Sequence, residues 1–219
     1  MSALLSTQGP VDGDVFSSIT NAIHHQGYII LNDVFPLAQL QIMFMDIKAT
    51  DSEQFHEAGI GREQEHQLNQ FVRRDRIFWL PENHQPALAY LQWTEQLRQR
   101  LNRDLFLGLF DYECHYAHYQ KGGFYKKHYD SFMGSTNRRL TTILYLNPAW
   151  QPLDGGELLL YSNDNESLLE TVMPCFGTMV VFLSEEFPHE VLTANRSRYS
   201  LTGWFRINNT DSLNLDPPG

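Results

Sequence analysis

The chain has 219 residues, 42% hydrophobic and 19% charged, which is enough apolar material for a full core and too much for a disordered segment. Its formal net charge of -10, with no basic stripe, argues against a nucleic-acid partner, because phosphate binding needs clustered Lys and Arg. The first ten residues lack the pattern of a secretory leader, and no window approaches a membrane-length apolar run, so the sequence predicts a cytoplasmic protein without a membrane span. Cys114 and Cys175 are the only cysteines and read as reduced thiols.

Taken in chain order, the first hundred residues read mostly as helix. Val15, Phe16, Ile19 and Ile23 form an apolar stripe at helical spacing, which Gly27 ends. Tyr28 to Leu31 reads as a short strand and Asn32-Asp33 as a turn. Pro36 opens a second helix carrying Leu37, Leu40, Met43, Phe44 and Ile47. Residues 51–70 are polar and read as a long loop. A strand is expected over 71–80 and a third helix over 84–106. Strands then follow over 111–120, 125–129, 140–146, 157–161, 178–183, 190–192 and 198–206, separated by turns such as Asp154-Gly155-Gly156. Many short strands after a helical segment predict a mainly β jelly roll. Its single domain would comprise helical support over about 1–106, a catalytic core over about 107–207 and a loose tail over 208–219.

Three residues carry the chemistry. His128 and Asp130 form an H-x-D step, and strand alternation puts both on one face. His189 lies about sixty residues on, and Arg198 nine residues after that. Two His and one carboxylate make the facial triad that holds non-haem Fe(II) with positions left open. With nine His in the chain, an H-x-D step alone is weak; the later His with a following Arg raises its specificity. Arg198, Ser200, Thr202 and Trp204 share strand parity, and a planar guanidinium binds a carboxylate bidentately. Together these residues point to an iron- and 2-oxoglutarate-dependent oxygenase, with Arg198 as anchor for the co-substrate and Arg196 and Arg206 as decoys. Tyr145 and Tyr119 lie on strands where they could donate to the co-substrate or serve packing alone. His24, His25, His56, His66 and His84 read as solvent-facing, and His115 and His118, of opposite strand parity, each as a satisfied core or surface His.

The segments Tyr125-Lys126-Lys127-His128-Tyr129-Asp130, Gly155-Gly156-Glu157-Leu158, Phe187-Pro188-His189-Glu190-Val191 and Arg198-Tyr199-Ser200-Leu201-Thr202-Gly203-Trp204-Phe205 resemble the prolyl 4-hydroxylase branch of the 2-oxoglutarate oxygenases. The likeness is strongest to the hypoxia-sensing prolyl hydroxylases and their bacterial relatives. It implies a double-stranded β-helix with N-terminal helices, iron on His128, Asp130 and His189, and the oxoglutarate side-chain carboxylate on Arg198 and Tyr145, helped by Thr202. Tyr119 would lie near the chelating end of the co-substrate, and Tyr125 and Trp204 at the substrate prolyl ring. The resemblance also implies that Asp75 pairs with Arg138, tying a mobile lid over residues 57–71 to the barrel. An intact Asp130 argues for hydroxylation, since relatives that halogenate replace this carboxylate.

The implied reaction consumes O2 and 2-oxoglutarate, releases succinate and CO2, and hydroxylates a prolyl residue, trans-4, in a protein loop; ascorbate would stimulate it. Elongation factor Tu is the leading substrate by resemblance to bacterial relatives, with the enzyme acting as a monomer. A small-molecule hydroxylase acting on free proline is the competing enzyme reading. A metal-binding jelly-roll module without catalysis is the non-enzyme one, which a co-substrate anchor at Arg198 disfavours.

Overall fold

The structure, a computed structural model, describes residues 14–50, 53–57, 71–131, 137–164 and 167–208. Helix α1 (Val15–His25) starts where the Asp14 carboxylate accepts from the Phe16 N–H, and it buries Ile19 and Ile23 as the periodicity predicts. Gly27, at φ 80°, turns the chain where any side chain would strike the Phe187 ring. Strand β1 (Tyr28–Leu31) leads to α2 (Leu37–Ala49), with Pro36 at the N-cap. Two short strands, β2 (His56–Glu57) and β3 (Arg76–Trp79), precede α3 (Leu88–Leu105). Eight more strands complete the fold: β4 (Leu109–Tyr119), β5 (Tyr125–His128), β6 (Arg138–Tyr145), β7 (Leu158–Tyr161), β8 (Leu168–Val172), β9 (Met179–Leu183), β10 (His189–Val191) and β11 (Arg198–Ile207).

These strands form two antiparallel sheets, a large one in the order β1-β9-β6-β11-β4-β3-β2 and a small one in the order β5-β10-β7-β8. Alternation divides the large sheet's side chains between two cores. On its outer face Tyr116, Leu144, Val181, Leu201 and Phe205 pack with Ile19, Met43, Leu97 and Leu101 of the helices. On its inner face Ile143, Tyr145, Val180 and Phe182 meet Leu158, Leu160 and Val191 of the small sheet. The result is a jelly roll, or double-stranded β-helix, with the helices outside and a cleft between the sheets. Among the described residues no helix is long and apolar enough to cross a membrane. Cys114 and Cys175 are both free thiols.

Several local expectations need correcting. The strand expected over 71–80 is four residues long, because Arg73 forms only an isolated bridge to Tyr125 and Asp75 is held by Arg73. β2 occupies part of the expected loop, and β8 escaped the sequence reading because its apolar residues, Leu168, Leu169 and Val172, do not alternate. His84 is not solvent-facing: its Nε2 lies 2.6 Å from Asp46 Oδ2, and its ring packs against Phe78 and Tyr116. His66, most of the proposed lid over 57–71 and the tail from 209 onward lie outside the described residues.

Gly203, on β11, is required by its neighbour. A Cβ there would meet the hydroxyl and ring of Tyr112, and would come 2.7 Å from the Cβ of Cys114. The Tyr112 hydroxyl is itself fixed, 2.7 Å from both the Tyr90 hydroxyl and Thr142 Oγ1. Gly203→Ala is expected to destabilise by about 1–3 kcal/mol, the usual cost of overpacking, with a lower urea midpoint at unchanged slope as the readout.

Candidate active site

The geometry of the cleft follows from strand register. His128 ends β5 and His189 opens β10, and the two are direct cross-strand neighbours. Asp130 lies two residues past the end of β5, and one ligand atom from each of the three residues falls within 4.8 Å of the others. His128 Nε2 is 3.5 Å from Asp130 Oδ1, and His189 Nε2 is 3.6 Å from Asp130 Oδ2. Both imidazoles are oriented from behind: Nδ1 of His128 is 2.8 Å from the Lys126 carbonyl and Nδ1 of His189 is 3.1 Å from the Phe187 carbonyl. A carbonyl only accepts, so each Nδ1 carries the proton and each Nε2 turns a lone pair toward the centre.

Electrostatics support the same arrangement. Burial alone would raise the Asp130 carboxyl, but the imidazoles of His189 and His128 hold it far below the usual carboxylate range. Burial pushes His189 down to about 4, so it is a neutral nitrogen donor at pH 7. Two imidazole nitrogens and one carboxylate on one side of a cleft fit a divalent ion of the iron(II) type.

Arg198 opens β11 and is 1% exposed. Its Nε donates to the Gly156 carbonyl at 2.8 Å, and its guanidinium lies 4.9 Å from the ring centres of both Tyr119 and Tyr145. Among the described residues no carboxylate pairs with it. Among the described residues the buried Tyr145 hydroxyl makes no hydrogen bond, and burial, opposed in part by the Arg198 guanidinium, pushes this phenol up to about 12. A guanidinium and a phenol donor therefore stand together at the base of the cleft, suited to an anionic carboxylate. Strand parity brings Ser200, Thr202 and Trp204 to the cleft with Arg198.

The outer wall is aromatic. Tyr125 stacks on His128 at 3.5 Å between ring centres, and Arg73 lies 4.3 Å over the Tyr125 ring. Trp204 packs against Trp79 and His115, with Arg138 3.6 Å over its ring. The expected pair between Asp75 and Arg138 does not form. Asp75 accepts both Nε and Nη2 of Arg73, at 2.7 and 2.6 Å, whereas Arg138 donates through Nε and Nη2 to Glu113 Oε1 at 2.9 and 2.8 Å. Glu113 and Arg138 meet across β11, which lies between β4 and β6: Glu113 is the neighbour of Trp204 and Arg138 the neighbour of Arg206. Arg73, Glu113, His115 and Thr141 all belong to the site or support it, and the sequence reading assigned them no role there. Arg73 had a visible signal, since it shares alternating parity with Asp75.

A larger groove, about 670 Å³, lies between α3 and the start of β4. Among the described residues no metal-ligating cluster lines it; the converging chemistry is in the narrower cleft of about 80 Å³ that His128, Asp130, His189 and Arg198 line.

His115 supplies a pH signature for this wall. It is buried between Trp79 and Trp204, and burial, reinforced by the Arg73 guanidinium, pushes it down to about 4. The unfolded chain therefore takes up a proton first as pH falls below its ordinary value, and the native state loses stability from there down to about 4. His115→Gln is expected to flatten that slope, with up to roughly 2–3 kcal/mol of acid-dependent loss removed. Urea midpoints of both proteins between pH 7 and pH 4 check this; parallel curves would refute it.

Residues 114–206 match the model of the 2OG-Fe(II) oxygenase superfamily. A crystal structure of a Pseudomonas putida prolyl-4-hydroxylase is similar at 36% identity and a TM-score of 0.79, over 89% of this chain and 100% of that one. A prolyl hydroxylase from Trichoplax adhaerens, in complex with a hypoxia inducible factor peptide fragment, is similar at 25% identity and a TM-score of 0.75, over 88% of this chain and 89% of that one. The Prolyl 3-hydroxylase OGFOD1 of Xenopus laevis is 31% identical over 149 residues, covering 63% of this chain but 28% of that protein's length. With the His-Asp-His cluster in the cleft and a full-length likeness to the Pseudomonas enzyme, the chain belongs to the 2OG-Fe(II) oxygenase superfamily.

Proposed function

We propose that this protein is an iron(II)- and 2-oxoglutarate-dependent dioxygenase that hydroxylates a prolyl residue, at trans-4, in an exposed loop of a protein substrate. The observation that carries the reading is a buried Arg198 that pairs with no carboxylate among the described residues, in the same cleft as a His-Asp-His cluster. A structural metal site needs no such anchor.

His128, Asp130 and His189 would hold the metal. Iron(II) with 2-oxoglutarate and O2 supplies the oxidising chemistry, turning 2-oxoglutarate into succinate and CO2 and hydroxylating a C–H bond. The protein's own part is positioning and shielding. Arg198 binds the distal carboxylate of 2-oxoglutarate by its planar fork, with the Tyr145 hydroxyl as second donor and Thr202 beside them. Tyr119, against the Arg198 guanidinium, walls the chelating end. Burial of this group keeps water from competing for the donors. Tyr125 and Trp204 offer flat aromatic faces for a prolyl ring. Asp75 acts by holding Arg73 over Tyr125, and Arg138 by covering Trp204.

The test combines anaerobic binding of iron(II) and 2-oxoglutarate with O2 exposure in the presence of intact elongation factor Tu, the first substrate to try by resemblance to bacterial relatives. Gain of one oxygen on a prolyl residue, absent with His128→Ala, establishes the reaction, and amino-acid analysis distinguishes 4- from 3-hydroxyproline. Succinate formation without that gain keeps the oxygenase and moves the search to other cytoplasmic proteins or to free proline. Failure to bind either iron(II) or 2-oxoglutarate overturns the reading.

A further inference from the structure

Two of the three proposed metal ligands are fixed by the sheet itself. His128 and His189 face each other across β5 and β10, and each has a backbone carbonyl behind its Nδ1. Asp130 has neither support, because it lies beyond the end of β5, where ladder hydrogen bonds no longer set the backbone. A carboxylate on such a segment rotates freely unless something outside the strand holds it.

That restraint comes from the opposite sheet. Thr141, at the centre of the large sheet on β6, is fully buried, with Trp204 opposite on β11 and Phe182 opposite on β9. Its Oγ1 donates to Asp130 Oδ2 at 2.8 Å. The same Oγ1 lies 2.9 Å from Ser184 Oγ, and Ser184, just past β9, is also fully buried. Thr141 has one hydroxyl proton and an ionised carboxylate can only accept, so the chain of bonds has one direction. Ser184 donates to Thr141, and Thr141 donates to Asp130.

The two carboxylate oxygens lie at similar distances, 3.5 Å and 3.6 Å, from the two imidazole nitrogens. We infer that Thr141, backed by Ser184, is a positioning residue that occupies Oδ2 and thereby presents Oδ1 of Asp130 as the ligand oxygen, pre-setting a one-oxygen carboxylate ligand. This rests on the reading of His128, Asp130 and His189 as metal ligands. The β6–β9 pair thus acts on the metal site without contributing a ligand to it.

Metal affinity tests this without turnover. Mn(II), a redox-stable stand-in for iron(II), is titrated by calorimetry into the metal-free full chain at constant pH. Thr141→Val keeps the shape and removes the hydroxyl, and its affinity is expected to fall about 10- to 100-fold, the usual effect of losing a group that orients a ligand. Thr141→Ser restores a donor and is expected within about threefold of the parent, and Ser184→Ala loses roughly two- to fivefold. Should the valine variant not fold, comparison of Thr141→Ser with Thr141→Ala carries the test. Unchanged affinity in Thr141→Val, or in Thr141→Ala if that variant replaces it, alongside its loss in His128→Ala overturns the positioning role alone. Mn(II) binding that ignores His128→Ala overturns the metal-site reading instead, and the inference with it.

Discussion

Arg198→Met is expected to weaken 2-oxoglutarate binding by about 10²- to 10³-fold while leaving the metal-free protein as stable as the parent or more so. The two signs have one cause. A 1% exposed guanidinium has been taken out of water at a cost of several kcal/mol, and its Nε bond to the Gly156 carbonyl offsets only part of it. Removing that charge relieves the protein, since Met keeps most of the apolar stem and its packing against Tyr119 and Tyr145. Binding loses a charge-assisted, water-shielded contact, which costs about 2–5 kcal/mol when one side is truncated. Arg198→Lys should rescue little, because an ammonium cannot reproduce the planar fork. Calorimetry of 2-oxoglutarate into the Mn(II)-loaded protein, with thermal melts of the metal-free forms, reads both effects. Co-substrate affinity within about threefold of the parent would exclude Arg198 as the anchor.

Asp130→Ala is the second large expected effect: loss of metal affinity by about 10²- to 10³-fold and of detectable hydroxylation with it. Asp130 is the only anionic group in the cluster, and its side chain is 9% exposed. Without it two imidazoles remain for a divalent cation, and breaking a buried charge pairing costs about 3–5 kcal/mol. The Thr141 hydroxyl also loses its acceptor, so some loss of melting temperature should accompany the change. Titration with Mn(II), followed by peptide mass spectrometry after O2 exposure, provides the measurement. A variant that binds the ion as tightly as the parent would move the metal elsewhere.

Much of this site is legible from local rules. The H-x-D spacing brings His128 and Asp130 close together, although Asp130 lies past the end of β5 and is oriented from outside it, and alternation carries Arg198, Ser200, Thr202 and Trp204 to one cleft. Helix periodicity located α1 and α2 because one apolar stripe suffices to define each. β8 was not legible, since its apolar residues, Leu168, Leu169 and Val172, do not alternate along the strand.

What stayed hidden is pairing between groups distant in sequence. Asp75 and Arg138 have opposite charges, yet each found a nearer partner: Asp75 the guanidinium two residues upstream, and Arg138 the carboxylate of Glu113. Charge alone does not choose among several arginines and acids; the strand order does, because it decides which side chains come within a few ångströms. Thr141 reads as an ordinary β-branched strand residue until β5 and β6 are brought face to face, when its hydroxyl meets Asp130. His115 reads as a satisfied core or surface His, and only its burial between Trp79 and Trp204 makes it resist protonation. The sequence by itself determined the two His and one carboxylate of the proposed metal site and the place of Arg198 on the cleft-facing side of its strand, since these follow from residue chemistry and two-residue alternation. The tertiary structure alone decided which groups orient them, because hydrogen bonds and ion pairs are set by distances that arise only when the two sheets close.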